Sequence, residues 1–129
     1  MENIISDNWR LADLSMKSRL IVGTARFPSV QTMLDSLEES ETEMVTVALR
    51  RVSINKDENN LYNIFLKKGY KILPNTAGCF TVKDAVLTAE LARESLGTSL
   101  IKLEVIADEN TLFPDGENLL IAAKELVKK

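Results

Sequence analysis

Short apolar runs alternate with amphipathic stretches along most of this chain, and that alternation constrains the fold more than any other feature. RLIVGTA at 19–25 reads as a strand. Phe27-Pro28-Ser29 then reads as a helix entry, with Val30, Met33, Leu34 and Leu37 spaced as one buried helical stripe. MVTVALR at 44–50 is rich in β-branched residues and predicts a second strand. A polar loop at 55–59 leads to a helix with Leu61, Ile64 and Phe65 on one face and Gly69 at its C-terminal cap. A third short strand, 71–73, ends at Pro74.

Thr81 and Asp84 resemble a capping box, with Asp in place of the usual Glu, ahead of a helix that Gly97 ends. SLIKLEVIA at 99–107 predicts the fourth strand, and Asp115 the cap of a last helix. Strict alternation of this kind predicts parallel strands joined by right-handed crossovers. The expected fold is therefore α/β, with four parallel βα units after a short N-terminal strand segment and no internal domain boundary. At 129 residues the chain is one small unit, about half the roughly 250 residues of a closed (β/α)8 barrel.

Composition removes several functions. The chain has no histidine, which excludes imidazole bases, His-based triads and His-ligated zinc within it. Its net charge of −3 argues against nucleic acid. No apolar run nears the ~20 residues of a membrane span, and the polar N-terminus is not a secretory signal. One cysteine, Cys79, cannot form an internal disulfide, so a cytoplasmic setting is expected. No cofactor and no metal site are expected. Any chemistry must use Lys, Asp, Glu, Tyr, Cys or Ser.

The fourth strand is the informative one. Side chains alternate faces along a strand, so Ile101, Leu103 and Val105 point one way and Lys102 and Glu104 the other. Strands of a parallel sheet are normally apolar on both faces. Lys102 and Glu104 therefore face either a polar cavity or solvent, where they would be an ordinary ion pair on an edge strand. In a cavity, a desolvated Lys102 is a nucleophile that forms an imine with a carbonyl, and Glu104 is a proton shuttle.

Other candidates are less specific. Asn75-Thr76-Ala77-Gly78 follows the third strand, at the end where α/β proteins bind ligands, and reads equally as a polar turn. Gly23-Thr24-Ala25 lacks the spacing of a nucleotide loop. Arg50-Arg51 reads as an anion contact or a solvated strand end. Cys79 reads as a small buried filler, and Asp108, Glu109, Asp115 and Glu117 as a solvated loop with a helix cap.

Taken in order, KSRLIVGTARFPS, MVTVALRRV, ILPNTAG, AELARESLGTSLIKLEVI and LFPD resemble bacterial thiazole synthase of thiamine biosynthesis, from about Trp9 to Lys129. The resemblance implies a (β/α)8 TIM barrel that condenses 1-deoxy-D-xylulose 5-phosphate with dehydroglycine. Sulfur would come from a sulfur-carrier protein bearing a C-terminal thiocarboxylate. The family's Schiff-base lysine falls on Lys102 and its nearby acid on Glu104, while Asn75 and Thr76 are expected substrate contacts from their place after the third strand alone. Trp9 to Met16 resembles the segment that closes the barrel's bottom.

Members of that family are about twice this length, so residues 1–129 are expected to be one partial domain, the N-terminal half of the barrel. A second catalytic acid and the phosphate-binding loops fall outside it. Such a half is expected to self-associate or to need a complementing C-terminal half for activity. The alternatives are a non-catalytic fragment, a binding module for the sulfur-carrier protein or synthase subunits, a class I aldolase, or an open flavodoxin-like sheet.

Overall fold

The computed structural model describes residues 7–49 and 60–129. The chain begins with an antiparallel hairpin, β1 (Trp9–Leu11) and β2 (Leu14–Met16), in the register Trp9 to Met16. Then follow β3 (Ile21–Gly23), α1 (Val30–Glu39), β4 (Met44–Ala48), α2 (Leu61–Lys67), β5 (Lys71–Asn75), α3 (Val82–Leu96) and α4 (Gly116–Leu126). Strands β3, β4 and β5 form one parallel sheet in that order. Arg50, Arg51 and the expected polar loop at 55–59 lie outside the described residues.

The helices start where the sequence predicts. Ser29, Thr81 and Asp115 cap α1, α3 and α4, each side-chain oxygen accepting from a main-chain N–H of the first turn at 3.0–3.1 Å. Asn60 does the same for α2, at 2.9 Å from the Tyr62 nitrogen. Gly97, with φ 63°, ends α3 in the left-handed conformation that glycine adopts without steric cost.

The fourth expected strand is present only in part. Residues 99–107 run beside β5, but one isolated parallel bridge, Asn75 with Lys102, joins them. The Lys102 N–H donates to the Pro74 carbonyl at 2.9 Å, and the Thr76 N–H donates to the Lys102 carbonyl at 3.3 Å. In a regular parallel ladder the preceding rung would run from the N–H of residue 74 to the Leu100 carbonyl. Proline has no N–H, so that rung cannot form. Pro74 thus lies within β5 rather than ending it, and its ring nitrogen faces the segment that is sparsely paired.

Strand alternation divides the buried side chains between two faces. Val45 and Val47 point outward and pack with Met33, Leu37 and Phe65 beneath α1 and α2. Met44, Leu73 and Ile21 point to the opposite, inner face. There they meet Met16, Trp9, Leu11 and Leu14 of the hairpin, together with Leu100. The hairpin therefore covers the inner face near the N-terminal ends of the strands. Glu43 secures its exit, accepting from the Ser18 N–H at 2.7 Å and also from Lys17. A third cluster, Cys79, Ala85, Val86, Val105 and Ala122, joins α3 and α4 to residues 103–105. No helix among the described residues is long and apolar enough to cross a membrane.

Candidate functional site

Above the hairpin the inner face turns polar. The residues that follow Met44, Leu73 and Leu100 at intervals of two are Thr46, Asn75 and Lys102, then Glu104. These four side chains sit at the C-terminal ends of the strands, where the pleat aims them all at one space. With Gly23, Thr24, Ala25, Ala48, Leu61 and Ala77 they line a pocket of about 220 Å³.

The Lys102 Nζ lies 3.2 Å from Glu104 Oε1, and the two side chains are 49% and 33% exposed. The pair is thus neither sealed in the interior nor spread on a free surface. Asn75 is buried beside it. Its Nδ2 donates to Thr46 Oγ1 at 2.9 Å, and its Oδ1 accepts from the Ala77 N–H at 3.1 Å. Thr24 Oγ1 donates to the Thr46 carbonyl at 3.0 Å, tying the β3 end to β4. Asn75 is therefore held at both ends of its amide, which fixes which atom faces which neighbour.

Thr76, expected beside Asn75 as a substrate contact, is placed differently. It is fully buried and does not line the pocket. The change follows from strand geometry, because consecutive residues face opposite ways. Its hydroxyl is engaged twice by the Glu104 main chain, at 2.7 Å in each direction.

The remaining candidates have structural surroundings. Cys79 is buried, 3.5 Å from Thr88 Oγ1. Asp108 accepts from the N–H groups of Thr111 and Asn110, which hold its carboxyl below the ordinary carboxylate range. Asp115 caps α4. Among the described residues, no group of three or more His, Cys, Asp or Glu could hold a metal ion. Sequence reading missed Thr46. Its signal was a hydroxyl on the inner face of β4, two positions beyond Met44.

The chain is similar to known proteins over most of its length. Residues 10–129 match the family described as thiazole biosynthesis protein ThiG. A thiazole synthase of Geobacter sulfurreducens is 48% identical over 125 residues, covering 96% of this chain and 48% of the relative. One from Aquifex aeolicus is 45% identical over 130 residues, covering 99% of this chain and 49% of the relative. The chain spans about half the length of the curated relatives it matches. In fold it is similar to a chain of the Amycolatopsis orientalis BexX/CysO complex, with a TM-score of 0.69 at 23% identity over 92% of this chain and 49% of that one. With a family match across nearly its whole length, the chain belongs to the ThiG family of thiazole biosynthesis proteins.

Proposed function

We propose that this chain carries the imine-forming part of a thiazole synthase site, acting in formation of the thiamine thiazole. The observation that carries the reading is the ion pair of Lys102 and Glu104 at 3.2 Å in the pocket at the strand ends.

In this mechanism Glu104 takes a proton from the Lys102 ammonium, leaving an amine lone pair. Nζ attacks the ketone carbon of 1-deoxy-D-xylulose 5-phosphate, and a proton passing from the newly bonded nitrogen to the carbonyl oxygen makes that oxygen the hydroxyl of a carbinolamine. Glu104 returns a proton to that hydroxyl, the C–O bond breaks, and water leaves as the C=N bond forms. Asn75, held by Thr46 and Ala77, presents its amide beside the reacting carbon. Condensation with dehydroglycine, and sulfur from a carrier thiocarboxylate, complete the proposed reaction. The carrier partnership is supported by the complex with CysO of a protein sharing this fold.

The phosphate end of the substrate and a second acid would be supplied by a C-terminal half, whether joined to this chain or separate. The decisive experiment is borohydride trapping with the sugar phosphate, with and without a supplied C-terminal half, followed by peptide mass spectrometry. The expected adduct is on Lys102. An unmodified Lys102 in the complemented complex overturns the reading. A purely binding role predicts instead no adduct on Lys102, with carrier binding intact in Lys102→Ala.

A further inference from the structure

Where the regular ladder between β5 and residues 99–107 stops, a side chain takes over. After the Asn75–Lys102 bridge, the next rungs of a parallel ladder would run from the Glu104 N–H to the Thr76 carbonyl and back from the N–H of residue 78 to the Glu104 carbonyl. The chain instead turns away at Thr76, whose carbonyl accepts from the Cys79 N–H at 3.2 Å. Both orphaned groups of Glu104 are met by one atom. Its N–H donates to Thr76 Oγ1 at 2.7 Å, and the Thr76 hydroxyl donates to its carbonyl at 2.7 Å. The direction of each bond is fixed, because an N–H only donates and a carbonyl only accepts.

We propose that Thr76 is the positioning residue that sets Glu104 against Lys102; the proposal rests on the imine reading above. Lys102 is held at both its N–H and its carbonyl by the Pro74–Thr76 main chain. Glu104 is held at both of its own by the Thr76 hydroxyl. The two residues that must exchange a proton are thus registered by the same three-residue stretch of β5 and its exit. Thr76 is fully buried, so water does not replace the hydroxyl when it is removed. Loss of that hydroxyl frees the main chain at Glu104 while leaving the Lys102 bridge, and the 3.2 Å spacing of the pair is lost.

The test uses the full chain, with the C-terminal half supplied, and the sugar phosphate plus borohydride. Thr76→Val keeps the shape and removes the hydroxyl, whereas Thr76→Ser keeps the hydroxyl. The rate of adduct formation on Lys102 should fall about tenfold or more in T76V, within the range general acid–base groups supply. It should largely return in T76S. The double variant T76V/E104Q should be no slower than E104Q alone, because both substitutions remove one function. A wild-type rate in T76V overturns the proposal, as do losses that multiply in the double variant.

Amide hydrogen exchange read by NMR separates this outcome from failure of the imine reading. The Glu104 amide should be protected in the wild type and T76S and exposed in T76V, while the Val45 and Val47 amides stay protected in all three. If no adduct forms on wild-type Lys102, the imine reading fails and exchange alone decides the clamp. Unchanged Glu104 protection in T76V then overturns it. Should T76V fail to fold, Thr76→Ala carries the same comparison.

Discussion

Asn75 on β5 and Thr46 on β4 are joined side chain to side chain across the sheet, Nδ2 to Oγ1 at 2.9 Å, both buried. The bond spans the boundary between the apolar lower half of the inner face and the pocket above it. Thr46→Val keeps the volume and leaves the Asn75 amide without that acceptor. The expected cost is about 1–2 kcal/mol of stability, from a buried donor left unsatisfied. Urea denaturation reads the stability, and borohydride trapping should slow in parallel because Asn75 is no longer fixed. A neutral effect on both measurements would refute the assigned role.

Gly23 is the place where the pocket can be filled without disturbing the fold. A Cβ built there meets no atom within 4 Å, and the residue lines the cavity. Gly23→Val should hold or raise stability by roughly 0.5 kcal/mol, since valine suits a strand better than glycine does. It should also weaken sugar-phosphate binding, because its methyls occupy pocket volume. Calorimetric titration beside thermal melting separates the two effects. Unchanged binding would show that the substrate does not approach β3.

Acid should loosen the hairpin through Glu43. The Ser18 and Lys17 N–H groups, and then the Lys71 ammonium, hold its carboxyl below the ordinary value of 4.5, against partial desolvation. A depressed folded value means the contribution is fully present above the ordinary value. It is lost as pH falls through the lower, folded one. Glu43→Gln removes the titration, so its melting temperature should depend less on pH in that acid range than the wild type's does. Glu90 and Asp108 are also held low and keep titrating in both proteins. Parallel curves for the two proteins would rule Glu43 out.

Ala12 turns the hairpin with φ 50°, a conformation that costs a residue bearing a Cβ roughly 1 kcal/mol. Ala12→Gly should therefore stabilise the hairpin by up to about 1 kcal/mol, less the entropy glycine adds to the unfolded chain. The gain should appear as slower amide exchange at Trp9 and Met16. A faster exchange would mean the unfolded-state term dominates.

The Lys102–Glu104 pair was legible because a period of two is enough to separate the two residues from their apolar neighbours. The helix starts were legible for a similar reason, since Ser29, Thr81 and Asp115 announce themselves by residue type. The hairpin was not, because Ala12 and Asp13 carry none of the Asn-Gly or Gly-Gly signal that marks a tight turn. The place of Thr76 is hard to read for a different reason. Its hydroxyl serves main-chain groups 28 residues away, and nothing local in the N-T-A-G run states that. Pro74 is an intermediate case: proline predicts the end of a strand, whereas in the fold it edits one rung and lets the strand continue.

That missing rung has a consequence for how the molecule comes apart. Strands β3 to β5 share continuous ladders and should open together as one cooperative unit. Around Lys102 the neighbouring stretch is hydrogen-bonded to that unit by a single bridge and one hydroxyl, with Leu100 packed below, so it should open before the ladders do. The amides around Lys102 should therefore exchange faster, by local opening, than those of β4, while the scaffold that holds Asn75 and Thr46 stays closed.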